Sequence, residues 1–452
     1  MACMKPPARI DGDYYGVLKG KDSTYRLYLQ YDNGKPALTV VGFRGYGVPV
    51  RSVESGSDSV KFIRQDGYSS FTGLYDAATN QIKGRWITED SVSHVLTFGA
   101  VAPDTIKGLN PRRTKEYHYE IPPKANDQLD VADRSEHRVD QALLDGLVLA
   151  VMRKEFEYVH SILIARNDKL VMEEYFYDFP REAHFGIQSV TKSFVSALTG
   201  IAISKNEIPG VGVPVCNYLP QYRELLCNGQ NKEITLHNLL TMSTGLEWDE
   251  ITYEYGHDKN SSMIAANSGD ELRYLLTRPR STSDVFAYNS LNHTLMNHVL
   301  KESTKLDNSR EIKERLLDPL GITEYDLGEM KAGVIGDIFL RPRDMLKFGL
   351  MYLNRGEWNG RQIVPRDWVE KSTAPKIASG PWLGYGYFWW TRDFHLNGRT
   401  IPGYFAWGYG GQYIFVVPEL ELVVVLTGTN WSTDPTKFSM EMMDKFVIPA
   451  CR

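Results

Sequence analysis

Ile187-Gln-Ser-Val-Thr-Lys-Ser-Phe-Val-Ser-Ala-Leu-Thr-Gly-Ile-Ala202 is the stretch on which the reading of this chain turns. Val190, Phe194, Leu198 and Ile201 recur at three- and four-residue steps, so a helix with one apolar stripe is predicted from Ser189 onward. Ser189 and Lys192 sit three residues apart and share a face at the helix start. A serine hydroxyl is a weak nucleophile near neutral pH and needs a base. A lysine serves as that base only in its neutral form, which burial or a neighbouring cation favours. A helix N-terminus stabilises negative charge near the serine and offers a backbone N–H to an oxyanion. Ser-x-x-Lys is short enough to arise by chance, and it occurs here once. Gly-x-Ser-x-Gly is absent, so nothing supports a nucleophile elbow.

Two further segments follow in order: Phe286-Ala-Tyr288-Asn-Ser290, and Trp407-Gly-Tyr409-Gly410-Gly411-Gln412-Tyr-Ile-Phe-Val-Val-Pro. With Ser189-Val-Thr-Lys192 they resemble the three motifs of penicillin-binding proteins and class C β-lactamases. Those motifs are Ser-x-x-Lys, then Tyr-x-Asn or Tyr-x-Ser, then a strand with a glycine-containing triplet. His237-Asn-Leu-Leu-Thr-Met-Ser-Thr-Gly-Leu-Glu-Trp248, Leu316-Leu-Asp-Pro-Leu-Gly-Ile322 and Arg341-Pro-Arg-Asp-Met-Leu-Lys-Phe-Gly349 are similar to one branch of that family. The branch contains 6-aminohexanoate-dimer (nylon-oligomer) hydrolases and related esterases. Each motif is weak alone; the ordered set is strong.

The resemblance implies a residue-by-residue mechanism. Ser189 would be acylated, Lys192 would take its proton, and Tyr288 would relay a proton to the leaving group. Ser290 would hydrogen-bond Lys192 or the substrate. The backbone N–H groups of Ser189 and Gln412 would form an oxyanion hole, and Gly410 and Gly411 would let the strand approach the acyl group. Tyr409 stands where many relatives carry lysine, and Gly410 lacks the hydroxyl often found next. Carboxylate-bearing lactams are therefore expected to lose a charge-assisted hydrogen bond and to be poorer substrates than neutral esters or amides. The implied function is a serine hydrolase acting on a small-molecule or short peptide-like amide or ester, with no cofactor. An acyltransferase or peptide cyclase would use the same acyl-enzyme. A non-catalytic binder or sensor would not need Lys192 and Tyr288 together.

The implied fold is an α/β plus α serine-hydrolase (β-lactamase/transpeptidase-like) domain over residues 138–452. A small antiparallel β-barrel-like domain is expected over residues 10–100. There Arg26-Leu-Tyr-Leu-Gln alternates, Asn33-Gly34 supplies a turn, and short strands recur at regular spacing. This part loosely resembles lipocalin-like β-domains and carries no catalytic constellation. Residues 101–137, with Asn110-Pro-Arg-Arg and Ile121-Pro-Pro-Lys, read as a linker. Val139 to Phe156 reads as helical, and Asn167-Asp-Lys as the turn of a hairpin. Tyr413–Val417 and Leu422–Thr427 read as a strand pair around Pro418-Glu-Leu. Strands at both ends with helices between predict one sheet built from distant segments.

The 452 residues exceed one ordinary core, in keeping with two domains. A composition 42% apolar and 24% charged, with net charge −5, gives no strong field and no basic block for nucleic acid. No apolar run reaches transmembrane length. The N-terminus lacks an apolar signal core, so the expectation is a cytoplasmic protein or one whose signal has been removed. The four cysteines read as free thiols, although Cys216 and Cys227 are close enough in sequence to pair. His293 and His298 lie five apart and do not share a helix face, which argues against a metal site. His184 could line the cleft or be structural. Trp382, Tyr385, Tyr387, Trp389 and Trp390 could form a substrate wall or a core. Oligomeric state is not legible.

Overall fold

The computed structural model describes residues 10, 12–19, 24–32, 35–41, 50–55, 58–64, 70–87, 93–101, 116–156, 158–177, 179–253, 255–281, 285–330, 334–430 and 435–451. Its first unit is an antiparallel sheet of eight strands. These are β1 (Gly12–Lys19), β2 (Thr24–Asp32), β3 (Lys35–Val41), β4 (Val50–Ser55), β5 (Ser59–Arg64), β6 (Ser70–Asp76), β7 (Gln81–Ile87) and β8 (Ser93–Ala100). Their order is β3-β2-β1-β8-β7-β6-β5-β4, an up-and-down meander in which β1 pairs with β8. The two edge strands β3 and β4 also approach each other, so the sheet curls into a barrel-like form. Alternation explains the curl's filling: Phe71, Ile82, Trp86, Leu96 and Phe98 point inward while their neighbours face out. Phe62 stacks on Phe71 at 4.8 Å, and Phe98 meets Phe71 edge-on at 5.3 Å. The expected Asn33-Gly34 turn lies outside the described residues, as does 102–115 of the expected linker.

The second sheet is the scaffold of the site. Its antiparallel strands run in the order Lys169–Tyr175, Val159–Arg166, Leu422–Gly428, Gln412–Val417, Arg399–Gly408, Trp390–Leu396, Gly384–Tyr385, Ile377–Ala378. Val159–Arg166, Gln412–Val417 and Leu422–Gly428 are buried at every residue. Strands with no polar face must be covered on both sides. Helix Pro342–Leu353 packs against these central strands. Gln141–Met152 forms the helix expected within 139–156, and the hairpin around Asn167 is present. Between Tyr175 and Ile377 lie helices and loops, a small sheet of Phe185–Gly186, Val334–Leu340 and Asp326–Met330, and the hairpin Glu357–Trp358/Arg361–Gln362, so the large sheet is built from distant segments as expected.

The helix expected from Ser189 begins two residues later. Gln188–Val190 is a single 3₁₀ turn and the α-helix is Thr191–Ser204. Gln188 has φ +54°, a left-handed backbone that a regular helix cannot contain. Twelve of the helix's fourteen residues are buried, which explains why its apolar stripe is supplemented by Ser193, Ser196, Thr199 and Gly200. At Gly200 a Cβ would stand 2.2 Å from the Trp368 ring, so only glycine admits that ring.

The reading of four free thiols fails at one pair. Cys216 and Cys227 form a disulfide with Cα atoms 5.1 Å apart. Cys451 is free and buried, and Cys3 lies outside the described residues.

Candidate active site

Ser189 and Lys192 meet at the start of helix Thr191–Ser204. Lys192 Nζ donates to Ser189 Oγ at 2.8 Å and reaches Ser290 Oγ at 3.5 Å. Ser290 opens helix Ser290–Thr304 on the facing lobe, with Asn289 as N-cap. Tyr288 lies just before it. Lys192 Nζ sits 5.2 Å from the centroid of the Tyr288 ring, and Trp390 stacks on the same tyrosine at 5.8 Å. Ser189, Lys192, Ser290 and Tyr409 line one cleft of about 410 Å³, together with Gln188, Thr191, Tyr255, Glu271, His293 and Gly336.

Gly410, Gly411 and Gln412 do not line this cleft. Gly410 and Gly411 take φ of +83° and +101° in the turn joining Arg399–Gly408 to Gln412–Val417. Gln412 is buried, and its Nε2 donates to Gly428 O at 2.5 Å. The close approach to the serine turn falls instead on Gly408, where a Cβ would lie 2.3 Å from Ile187 O and 3.0 Å from Gln188 Cβ.

Two carboxylates complete the arrangement, and neither was expected. Glu250 is only 4% exposed. Ser290 Oγ donates to its Oε1 at 2.6 Å and Ser290 N to its Oε2 at 2.8 Å. Trp248 Nε1, Ser262 Oγ and Tyr255 OH add donations at 2.7, 2.8 and 3.0 Å. A buried carboxylate needs such donors, because unpaired it costs several kcal/mol. Since Ser290 spends its proton on Glu250, the lone pairs of its oxygen are left for Lys192. Tyr255 is 45% exposed, yet its hydroxyl turns inward to Glu250. Burial of that end, then the carboxylate's charge, pushes the phenol above its ordinary range.

Asp337 holds the serine turn. Gln188 N donates to its Oδ1 at 2.7 Å, Gln188 Nε2 to its Oδ2 at 3.2 Å, and Thr191 Oγ1 to its Oδ1 at 3.4 Å. Left-handed backbone at a non-glycine residue is strained by about 1–3 kcal/mol and persists only when neighbours fix it. Asp337 and Gly408 are those neighbours. Glu250 lies two residues beyond the stretch 237–248 that carries the resemblance, a position that could have drawn attention. No signal in the sequence marks Asp337.

His293 lies on the cleft wall, one helical turn from Ser290, and is 4% exposed. Asn297 Nδ2 donates to its Nε2 at 3.1 Å, and Asn308 Nδ2 donates to Asn297 Oδ1 at 2.8 Å, so the ring proton belongs on Nδ1. Burial, with Lys192 nearby, holds its pKa well below the ordinary imidazole range. His184 is absent from the cleft lining and lies 4.0 Å from Asp326. Of the aromatic group, Trp382 is 85% exposed, while Tyr385, Tyr387, Trp389 and Trp390 pack in the core.

A serine and lysine joined at one helix start, a tyrosine and serine from the facing lobe, and a buried antiparallel sheet behind them are the arrangement of the first two motifs; of the third, Tyr409 reaches the cleft. A model of the Beta-lactamase family matches residues 157–441, more than half of the chain. The chain belongs to that family. Its members are serine hydrolases, and the match begins beyond the first sheet. An uncharacterized protein of Alkalihalophilus pseudofirmus is 23% identical over 334 residues, covering 66% of this chain and 95% of that one. Among solved structures, a Bacillus anthracis protein assigned as a 6-aminohexanoate-dimer hydrolase aligns with TM-score 0.55 and 20% identity. That alignment covers 64% of this chain and 78% of the other. A class C beta-lactamase aligns with TM-score 0.52 and 13% identity over 68% of this chain and 95% of its own. These structural likenesses speak for the fold alone. Among the described residues no helix is long and apolar enough to cross a membrane.

Proposed function

We propose that this member of the family cleaves a modest-sized amide or ester through an acyl-enzyme on Ser189. The observation that carries the reading is Lys192 Nζ, 2.8 Å from Ser189 Oγ inside the cleft. In the reactive form the neutral amine accepts the hydroxyl proton while Oγ bonds to the substrate carbonyl carbon. The carbonyl oxygen becomes an oxyanion received by the backbone N–H of Ser189; Gln412, the second donor the motifs imply, does not line the cleft, so its N–H serves only if the substrate reaches past the lining to it. Tyr288, set against Lys192, passes the proton to the leaving amine or alcohol as the C–N or C–O bond breaks. Water then repeats the sequence in reverse and frees Ser189. Glu250 acts through Ser290, whose oxygen it turns toward Lys192. In this reading residues 138–452 form the hydrolase domain, residues 10–100 a separate β-domain without catalytic groups, and residues 101–137 their connection.

The test is covalent labelling. A fluorophosphonate should add one adduct, located on Ser189, and Ser189→Ala should abolish both adduct and turnover while the fold persists. Lys192→Ala and Tyr288→Phe should each slow turnover by about 10²–10⁴-fold, the scale of lost acid–base help. An adduct on another residue, or an active Ser189→Ala, refutes the proposal. Product analysis with and without added amines tells hydrolysis from acyl transfer.

A further inference from the structure

The charge around the cleft bears on which substrates enter it, and this step rests on the reading of the cleft as the acyl-transfer site. Among the described residues lining it, Lys192 is the one lysine or arginine, and it is committed to Ser189 and Ser290. His293 is buried and neutral. Glu271 supplies the opposite charge to the same cleft. It is the first residue of helix Glu271–Leu276, and it makes no hydrogen bond or ion pair with the described residues. Its helix does not need it as a cap. Asp270 accepts from Arg273 N at 3.0 Å and from Tyr222 OH at 2.9 Å, and Arg273 pairs with Asp270 at 3.4 Å. A helix dipole explains an acidic residue at that position but not a cleft-wall carboxylate with no partner among the described residues.

Two aromatic rings share the cleft. Tyr255 and Tyr409 lie 5.2 Å apart at 56°, Tyr409 at the position where relatives with lysine would present a cation. Met263 adds a soft apolar surface. A carboxylate with tyrosine rings and a thioether is chemistry suited to an organic ammonium, drawn by charge and by the ring faces. A carboxylate on the substrate would meet Glu271 and find no uncommitted cation among the described lining residues.

We infer that the cleft selects amides or esters that carry a cationic amine, with Glu271 as the residue that reads the charge and Tyr255 and Tyr409 enclosing its alkyl carrier. The substrates to compare are p-nitrophenyl esters of equal length ending in a trimethylammonium, a neutral tert-butyl or a carboxylate group. In the wild type the cationic ester should lead the neutral one by about fivefold in kcat/KM, the scale of one partly exposed charge pair. The carboxylate ester should come last. Glu271→Gln should bring the cationic-to-neutral ratio to within about twofold, and Glu271→Lys should put the carboxylate ester first. About 0.5 M salt should shrink the wild-type preference. A ratio that survives Glu271→Gln unchanged, or a wild type that prefers the carboxylate, overturns the inference. Fluorophosphonate labelling of the same preparations separates the two failures. Labelled Ser189 with a flat charge series sinks this inference alone, and unlabelled Ser189 sinks the hydrolase reading beneath it.

Discussion

Asp337→Asn is the most searching perturbation of the serine turn, because it removes one charge and almost no volume. The carboxylate accepts Gln188 N at 2.7 Å, Gln188 Nε2 at 3.2 Å and Thr191 Oγ1 at 3.4 Å, and it holds Gln188 at φ +54°. Asparagine keeps one carbonyl oxygen for Gln188 N and Thr191 Oγ1, and its amide N–H meets the Gln188 side chain only after that amide flips to present its own oxygen, so every bond to the turn loses the carboxylate's charge. Hydrogen bonds to a charged group contribute about 1.5–3 kcal/mol each, against a left-handed strain of about 1–3 kcal/mol. A net weakening of about 2–3 kcal/mol lets the turn relax, which moves Ser189 off Lys192. At 1.36 kcal/mol per tenfold, fluorophosphonate labelling should slow by about 30- to 160-fold. KM should change little, since Asp337 itself is not on the cleft wall. Gln188→Gly in the same background should recover about tenfold, because glycine takes positive φ without strain. Thermal melting separates this from general unfolding. Labelling within about twofold of wild type, or no rescue by glycine, would refute the argument that the turn is held under tension.

Glu250→Gln should slow labelling by about tenfold and lower stability by about 1–3 kcal/mol, since the neutral amide replaces a charged acceptor of five donors and faces one side of them with N–H instead of oxygen; denaturant titration beside labelling kinetics checks both. Glu311 is fully buried, and its carboxyl is pushed up to about 7 by burial, above the ordinary 4.5. The folded state therefore holds a proton that the unfolded state loses. Stability should fall as pH rises from about 4.5 to about 7, by on the order of 3 kcal/mol at most, and Glu311→Gln should flatten that slope in urea unfolding across the range. Reducing Cys216–Cys227 opens a loop with separation 11, for which loop entropy predicts a loss of about 2–3 kcal/mol, and intact mass should rise by about 2 Da as the midpoint drops.

What the sequence disclosed was local. Ser189 and Lys192 were legible because residues three apart on a helix must be neighbours. The hairpin at Asn167 and the inward side chains of the first sheet followed from alternation. Tyr288 and Ser290 were legible by their order in a motif set. Glu250 and Asp337 were not. Their partners lie 40 and 149 residues away, so no window of sequence contains both ends of the contact. The left-handed turn just ahead of the helix was hidden for the same reason. Nothing in a glutamine favours left-handed backbone, and Gln188 adopts it only because a distant carboxylate imposes it. Gly408 shows the converse: the glycines of the third motif were noticed, but which of them faces the serine turn depends on how two distant strands meet.

The placement of Leu422–Gly428 beside Val159–Arg166 has a consequence for synthesis of the chain. Until the last strands leave the ribosome, one edge of Val159–Arg166 has no partner, and every residue of that strand is apolar-facing or otherwise buried in the finished protein. Such an unpaired edge invites association with other chains. The N-terminal meander, by contrast, closes through neighbours and the single β1–β8 pairing, all within its first hundred residues. It can complete itself while the hydrolase part is still waiting for its final strands, because short-range pairings close sooner than long-range ones. Nascent chains stopped before residue 422 should accordingly carry a folded first sheet and a sticky, incomplete second one.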